Sequence, residues 1–498
     1  LVFSTALVYI IYVSGYIKLN YHIVNTIIGG NNMKFLSDDI LLESDLAKEL
    51  YNNFAKDLPI IDYHCHINPN WILEDKVFSD ITELWLSGDH YKWRLMRNCG
   101  VDEKYITGDA DSFEKFKAFC SCLPLCVGNP IYIWCHMELK TYFGYEGEIN
   151  ADTAKEIYDL TKKILNSPSF SARNIIKKSN VRLLCTTDDP ADDLAAHKEL
   201  AKQDLGFKVL PSFRPDKALN IELPDFCGYI KNLAKVSGIE IKTLDDLTKA
   251  LENRLEYFAK NGCKVSDHGL TELVYEECSK KEAAAIFKKA LKGSKVSDIQ
   301  AKKFKTFMLL YFAKQYKKYD MAMQLHFNCL RNNNTTMFKK LGPDTGFDCI
   351  NSSFEPNNLA RLLNALASQD CLPKTIVYSL DPNDTRVINS IINCFQGDGI
   401  KGKVQSGAAW WFNDTKHGIY DHLSAVSEYS VLGNFIGMLT DSRSLTSYVR
   451  HDYFRRILCN FIARAVFAGE YPNNTDNLKK LIQNISYYNI KRYINIED

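Results

Sequence analysis

The stretch LPIIDYHCHINP, residues 58–69, decides the fold. Its first half is a short, near-continuous apolar run, the pattern of a parallel strand buried on both faces. Its second half turns at once to His64-Cys65-His66. Side chains alternate faces along an extended chain, so His64 and His66 point the same way and their imidazoles converge. An apolar strand ending in converging donors is what the first strand of a (β/α)8 barrel looks like, because such barrels carry their sites at the C-terminal ends of their strands.

Seven further segments repeat the theme. Residues 181–185 run into TTDDP, 207–210 into PSFRPD, 263–265 into SDHG, and 321–325 into HFN. Residues 375–378 run into SLDP, 403–405 into SGAAWWFND, and 435–439 into TDSR. Helical patterns, such as 189–203 and 244–261, fill most gaps after the second segment. Strands alternating with helices favour parallel βαβ units, and eight of them predict an α/β chain closed as a TIM-type (β/α)8 barrel. The gap between the first two segments exceeds 100 residues, too long for a structureless loop. It predicts a helical insertion over about 68–170, inside a single barrel unit covering 33–498. A Lys-rich helical stretch at 271–318 reads as solvated.

Lys plus Arg total 61 and Asp plus Glu total 60. That balance carries no electrostatic footprint for nucleic acid or an anionic membrane, so neither is an expected partner. The 15 cysteines follow no paired framework, and C-x-C at 120–122 is not a zinc-finger or thioredoxin spacing. They read as small core residues in a reducing compartment. Residues 1–32 are apolar at the start but lack a basic n-region and a cleavage site. They read as an upstream or non-native extension before Met33, with a signal anchor as the alternative.

The chemistry gathers at the strand ends. Asp441 follows the eighth segment, which closure places beside the first. His64, His66 and Asp441 then form a site of two imidazoles and a carboxylate, suited to one divalent metal, zinc first, with positions left for substrate. His326 ends the fifth segment as a further ligand or a substrate contact. Asp267 and His268 end the fourth with no assigned role. The sixth ends in Ser379-Leu380-Asp381 without a histidine, which favours one metal over two.

On LPIIDYHCHINP, LWLSGDHYKWRLMR, LPSFRPDKAL, LRNNNTTMFKKLGPDTGFD, GAAWWFND and GMLTDSRSLTSYVRHDYFRRILC, the chain from about Met33 onward resembles the uronate (glucuronate) isomerases of the amidohydrolase superfamily. Two departures are modest: Ala408-Ala409 stands where Ser or Gly is common, and Asp381 where Asn is common. The resemblance implies metal-assisted aldose–ketose interconversion of D-glucuronate with D-fructuronate and D-galacturonate with D-tagaturonate. It implies a cytoplasmic homo-oligomer acting on a small hexuronate. It makes Asp441 the base at C2, Tyr91 the proton shuttle between the C1 and C2 oxygens, and Arg443 the stabiliser of developing charge. His90, Arg214, Trp410, Trp411 and His326 become candidate substrate contacts. Arg214 has a rival reading, a structural ion pair with Asp216 or Asp188, and the tryptophans a rival reading as core. Metal-dependent hydrolysis on the same ligands remains the competing activity, and a barrel that only binds sugar acids the third.

Overall fold

The apolar runs are where the strands form. The computed structural model describes residues 35–497, so the reading of residues 1–32 lies outside the described residues. Strands β1 (Ile60–Asp62), β2 (Val181–Cys185) and β3 (Lys208–Leu210) pair in parallel in that order. Next come β4 (Val265–Gly269) and β5 (Ala322–Phe327), followed by a short antiparallel hairpin of β6 (Cys329–Leu330) and β7 (Cys349–Ile350). Strands β8 (Thr375–Ser379) and β9 (Val404–Ser406) complete a second parallel sheet ordered β4-β5-β8-β9. Single parallel bridges from Asp188 to Phe213 and from Phe213 to Ser266 carry the first sheet into the second. Seven strands thus curve in chain order around one axis, with helices outside. The chain is an α/β barrel.

The eighth segment differs from its expected form. Residues 435–439 adopt no regular secondary structure and pair in no ladder. Side chains take the ladder's place. The Tyr63 hydroxyl donates to Gly437 O (2.9 Å), Thr440 N–H and its hydroxyl to Asp62 (2.8 and 2.6 Å), and Ile436 N–H to Gln405 Oε1 (3.2 Å). Backbone contact resumes at the site itself, where Asp441 N–H donates to His64 O and His66 N–H to Ser442 O. Gly437 explains the break. Its φ of +80° is left-handed, and a Cβ there would lie 2.2 Å from Ile485 O.

Two strands run further than their apolar patterns. β4 contains Ser266, Asp267 and His268, and β5 contains His326, because all four side chains are buried and hydrogen-bonding partners inside the barrel replace water. Register places His326 level with Gly269 and Tyr378. Between β1 and β2 lies a run of helices, most opened by a capping Asp, Asn or Ser such as Asp80, Asp89, Asp111, Asn129 and Ser171. The helix Asp298–Lys318 is not simply solvated: Phe304, Met308, Leu309, Phe312 and Tyr316 bury one face, with the lysines on the other. All fifteen cysteines are free thiols. No helix among the described residues is long and apolar enough to cross a membrane.

Candidate active site

The C-terminal strand ends surround a cavity of about 840 Å³. His64 Nε2 and His66 Nε2 lie 3.1 and 3.0 Å from the same oxygen, Asp441 Oδ1. The other carboxylate oxygen accepts the Trp410 indole N–H at 2.6 Å. Burial by itself would push the Asp441 carboxyl up, but hydrogen bonds from both histidines outweigh it and hold the group well below the ordinary aspartate range. Asp441 is therefore ionised at any working pH. Burial drags His66 down. At His64 the same burial is outweighed by Asp267 and Asp441, which raise it.

A second layer lies beneath. Asp267, with no solvent exposure, takes His326 Nδ1 at 2.7 Å and Arg214 Nη1 at 3.0 Å, and His64 Nδ1 stands 3.9 Å away. His64 and His326 lie ring to ring at 4.7 Å, and His326 stacks on Tyr378 at 4.1 Å. His64 Nδ1 and His326 Nε2 are buried without a hydrogen-bond partner. Such orphaned nitrogens are costly unless something fills the gap. His64, His66 and Asp441 bring three ligand atoms within 4.8 Å of one another, and so do His64, Asp267 and His326. Two imidazoles and a carboxylate, converging with donor atoms inward, fit a divalent ion. The second group is less suited, because the Arg214 cation already neutralises Asp267.

The helix His90–Asn98 supplies the far wall. Asp89 caps it, accepting from Tyr91 N–H and Lys92 N–H while pairing with buried Lys92 Nζ at 2.5 Å. His90 and Tyr91 face inward against Trp411, at 5.3 Å and, stacked, at 6.0 Å. Burial lowers His90 to about 4, helped by Arg443, so its ring is neutral at working pH. Burial raises the Tyr91 hydroxyl well above its usual value, so it stays protonated and can donate.

Every site residue expected from the sequence lines this one cavity, His326, Arg214, Trp410, Trp411 and Arg443 included. Arg214 is held from both sides, by Asp216 at 2.7 Å and Asp267 at 3.0 Å, rather than by Asp188. Gly269 makes room for it, since a Cβ there would sit 2.2 Å from Arg214 Nη2. Four residues in the cavity wall or just behind it escaped sequence reasoning as site members: Arg331, Asp344, Arg450 and Asp62. The first two stand in LRNNNTTMFKKLGPDTGFD, whose polar density after a strand end was the available signal. Arg450 lies in the first turn of the largely buried helix Val449–Phe467, and Asp62 sits inside an apolar run.

This geometry has counterparts. The glucuronate isomerase family model matches residues 33–494. The chain belongs to the glucuronate isomerase family. The uronate isomerase of Caldicellulosiruptor bescii is 50% identical over 461 residues, 92% of this chain and 99% of that one. The crystal structure of a uronate isomerase from Thermotoga maritima superposes with a TM-score of 0.88 at 35% identity, covering 93% of this chain and 100% of that one. A glucuronate isomerase structure from Caulobacter crescentus gives 0.87 at 27% identity, over 93% of this chain and 97% of that one. The chain is thus an isomerase of uronates, and its expected membership is borne out.

Proposed function

We propose that the chain interconverts D-glucuronate with D-fructuronate and D-galacturonate with D-tagaturonate at this cavity. The observation that carries the reading is the convergence of His64 and His66 on one oxygen of Asp441, in a cavity that Tyr91 and Arg443 also line. Aldose–ketose exchange removes a proton from C2 and delivers one to C1, which calls for a base, a donor between the two oxygens and a cation for the enediolate charge.

His64, His66 and Asp441 would hold a divalent ion, which we take to be zinc on the chemistry of two imidazoles and one carboxylate. Such an ion would supply Lewis acidity at the site. Asp441 accepts the C2 proton, its second oxygen oriented by the Trp410 N–H. Tyr91, protonated and stacked on Trp411, moves a proton between the C1 and C2 oxygens. Arg443 faces the developing charge, and His90 near it stays neutral. Trp410 and Trp411 give the sugar's C–H groups apolar faces and exclude water. His326 presents Nε2 to a substrate hydroxyl, its tautomer set by Asp267. Arg214 reaches the substrate carboxylate through whatever donors its two ion pairs leave. Fifteen free thiols suit the reducing cytoplasm as its location.

The test is metal analysis with parallel uronate isomerase assays on the parent and Asp441→Asn. Loss of the ion together with at least about a hundredfold fall in kcat is expected. Near-normal turnover in the variant would remove Asp441 from the mechanism.

A further inference from the structure

The cavity's outer rim is a flap. It leaves the barrel on β6, returns on β7, and between them runs through the helix Thr335–Leu341, none of whose residues is buried. A helix with no buried face contributes little to its own stability, so what holds the flap must come from elsewhere. It comes from arginines. Arg94 Nη1 donates to Asp348 O at 2.6 Å and Arg97 Nη1 to Thr345 O at 2.5 Å, both from the helix that carries His90 and Tyr91 inward. Gly346, at φ +95°, passes so close that a Cβ would meet His90 O at 3.0 Å. At the flap's inner tip, Asp344 Oδ2 accepts from Arg443 Nη2 at 3.0 Å, and Asp344 Oδ1 stands 3.7 Å from Arg331 Nη1. Arg331 in turn lies over Trp411 at 5.2 Å, the ring on which Tyr91 stacks.

The cavity's arginines divide by where their counter-ions sit. Arg214 is fixed by Asp216 and Asp267, both close to or within barrel strands. Arg450 is buried, donates to Thr440 O at 3.0 Å and has Asp414 at 3.7 Å. For Arg443, among the described residues, the paired carboxylate is Asp344, which the barrel does not carry. A long guanidinium in a half-open cavity keeps its rotamer freedom unless something pins it. Bidentate or paired contact with a carboxylate removes that freedom.

We infer that Asp344 is a positioning residue for Arg443: the flap delivers the carboxylate that aims the guanidinium at the reacting oxygens, so docking of the flap and competence of Arg443 are one event. Asp344 acts through Arg443 and need not touch the sugar. The inference rests on the proposed role of Arg443 in the isomerisation, and the experiment separates the two.

The experiment is a double-mutant cycle with steady-state isomerisation of D-glucuronate by the metal-loaded full chain, using Asp344→Asn, Arg443→Met and the pair, with Asp344→Glu as the conservative variant. Asp344 is half-exposed on an outlying flap, so its variants leave the folded barrel intact, which matching unfolding midpoints check. Asp344→Asn is expected to lower kcat about tenfold or more with KM within about threefold, because the lost orientation is felt in the transition state. In the Arg443→Met background the same change is expected to cost less than about twofold, and Asp344→Glu to recover most of the lost kcat. Additive losses would overturn the inference, since Asp344 would then act by another route. So would normal kcat in Asp344→Asn beside a strongly impaired Arg443→Met, which leaves the role of Arg443 standing. Normal turnover in Arg443→Met would remove that role and the inference with it.

Discussion

Replacing Gly407 by alanine tests how tightly the site's floor is built. Gly407 follows β9 and donates its N–H to Val377 O at 2.9 Å, so its backbone cannot drift without breaking the sheet. Its φ is not left-handed, and the whole penalty is steric. A Cβ there would stand 1.9 Å from Tyr378 Cε1 and 2.3 Å from Cδ1 and Cζ, where ordinary contact begins at 3.4 Å. The ring would have to move by about 1.5 Å, the difference between 3.4 and 1.9 Å. It cannot move toward His326, on which it already stacks at 4.1 Å and 6°. Moving it elsewhere strains its hydroxyl's hydrogen bond to Gln324 Oε1, 2.9 Å long. Overpacking costs about 1–3 kcal/mol and a buried hydrogen bond about 1 kcal/mol, so the loss is put at about 3 kcal/mol. Urea unfolding followed by circular dichroism measures it. Because His326 lines the cavity, kcat/KM falls as well. Adding Tyr378→Leu to Gly407→Ala removes the clashing ring and restores part of the stability relative to Tyr378→Leu alone. A single variant within about 0.5 kcal/mol of the parent would refute the reasoning, since the ring would then have room that the packing denies it.

Two more expectations follow from buried charge and from the site's donors. Burial raises Asp188 to about 7, only partly offset by hydrogen bonds from the Thr186 hydroxyl and Ser212 N–H. The unfolded carboxyl ionises near 3.9, so between about pH 4 and 7 the folded state binds the extra proton. Its contribution is full below about pH 4 and is lost as pH rises through about 7, on the order of 4 kcal/mol at most. Asp188→Asn should flatten the pH dependence of the unfolding free energy between about pH 4 and 7, and an unchanged slope would contradict that burial. Removing the ion with a chelator should lower the unfolding midpoint by an amount equivalent to about 3 kcal/mol at a free ion concentration a hundred times Kd, and added zinc should restore it. A midpoint indifferent to chelation would mean that the converging histidines hold nothing.

The barrel was legible because buried parallel strands leave a plain mark, and residues 58–63, 181–185 and 375–378 carry it without ambiguity. His64 and His66 were legible from the H-x-H that follows the first apolar run, and both rings meet one oxygen of Asp441 even though β1 itself ends at Asp62. The strand ends at β4 and β5 were not, because Asp267 and His326 are polar side chains that the barrel buries and pairs with each other. Pattern reading ends a strand at the first charge, and here the charge has its partner inside. The flap was hidden more deeply. Asp344 and Arg443 are 99 residues apart in the chain, and no local periodicity relates them.

The failure of residues 435–439 to form a ladder strand is tied to the chemistry rather than incidental to it. A regular eighth strand would pair with β1 through backbone bonds alone and would carry Asp441 at an extended φ. Instead Asp441 has φ 48°, a left-handed conformation that costs a non-glycine residue about 1–2 kcal/mol. That conformation persists because its surroundings fix both sides: Thr440 is bound twice by Asp62, and Asp441 N–H by His64 O. The turn it makes brings the carboxylate back over β1, where one oxygen meets His64 and His66 and the other meets Trp410. Asp62, buried inside an apolar run and absent from the cavity wall, is thus what exchanges ladder bonds for a correctly aimed carboxylate, and the strain at Asp441 accompanies that aim.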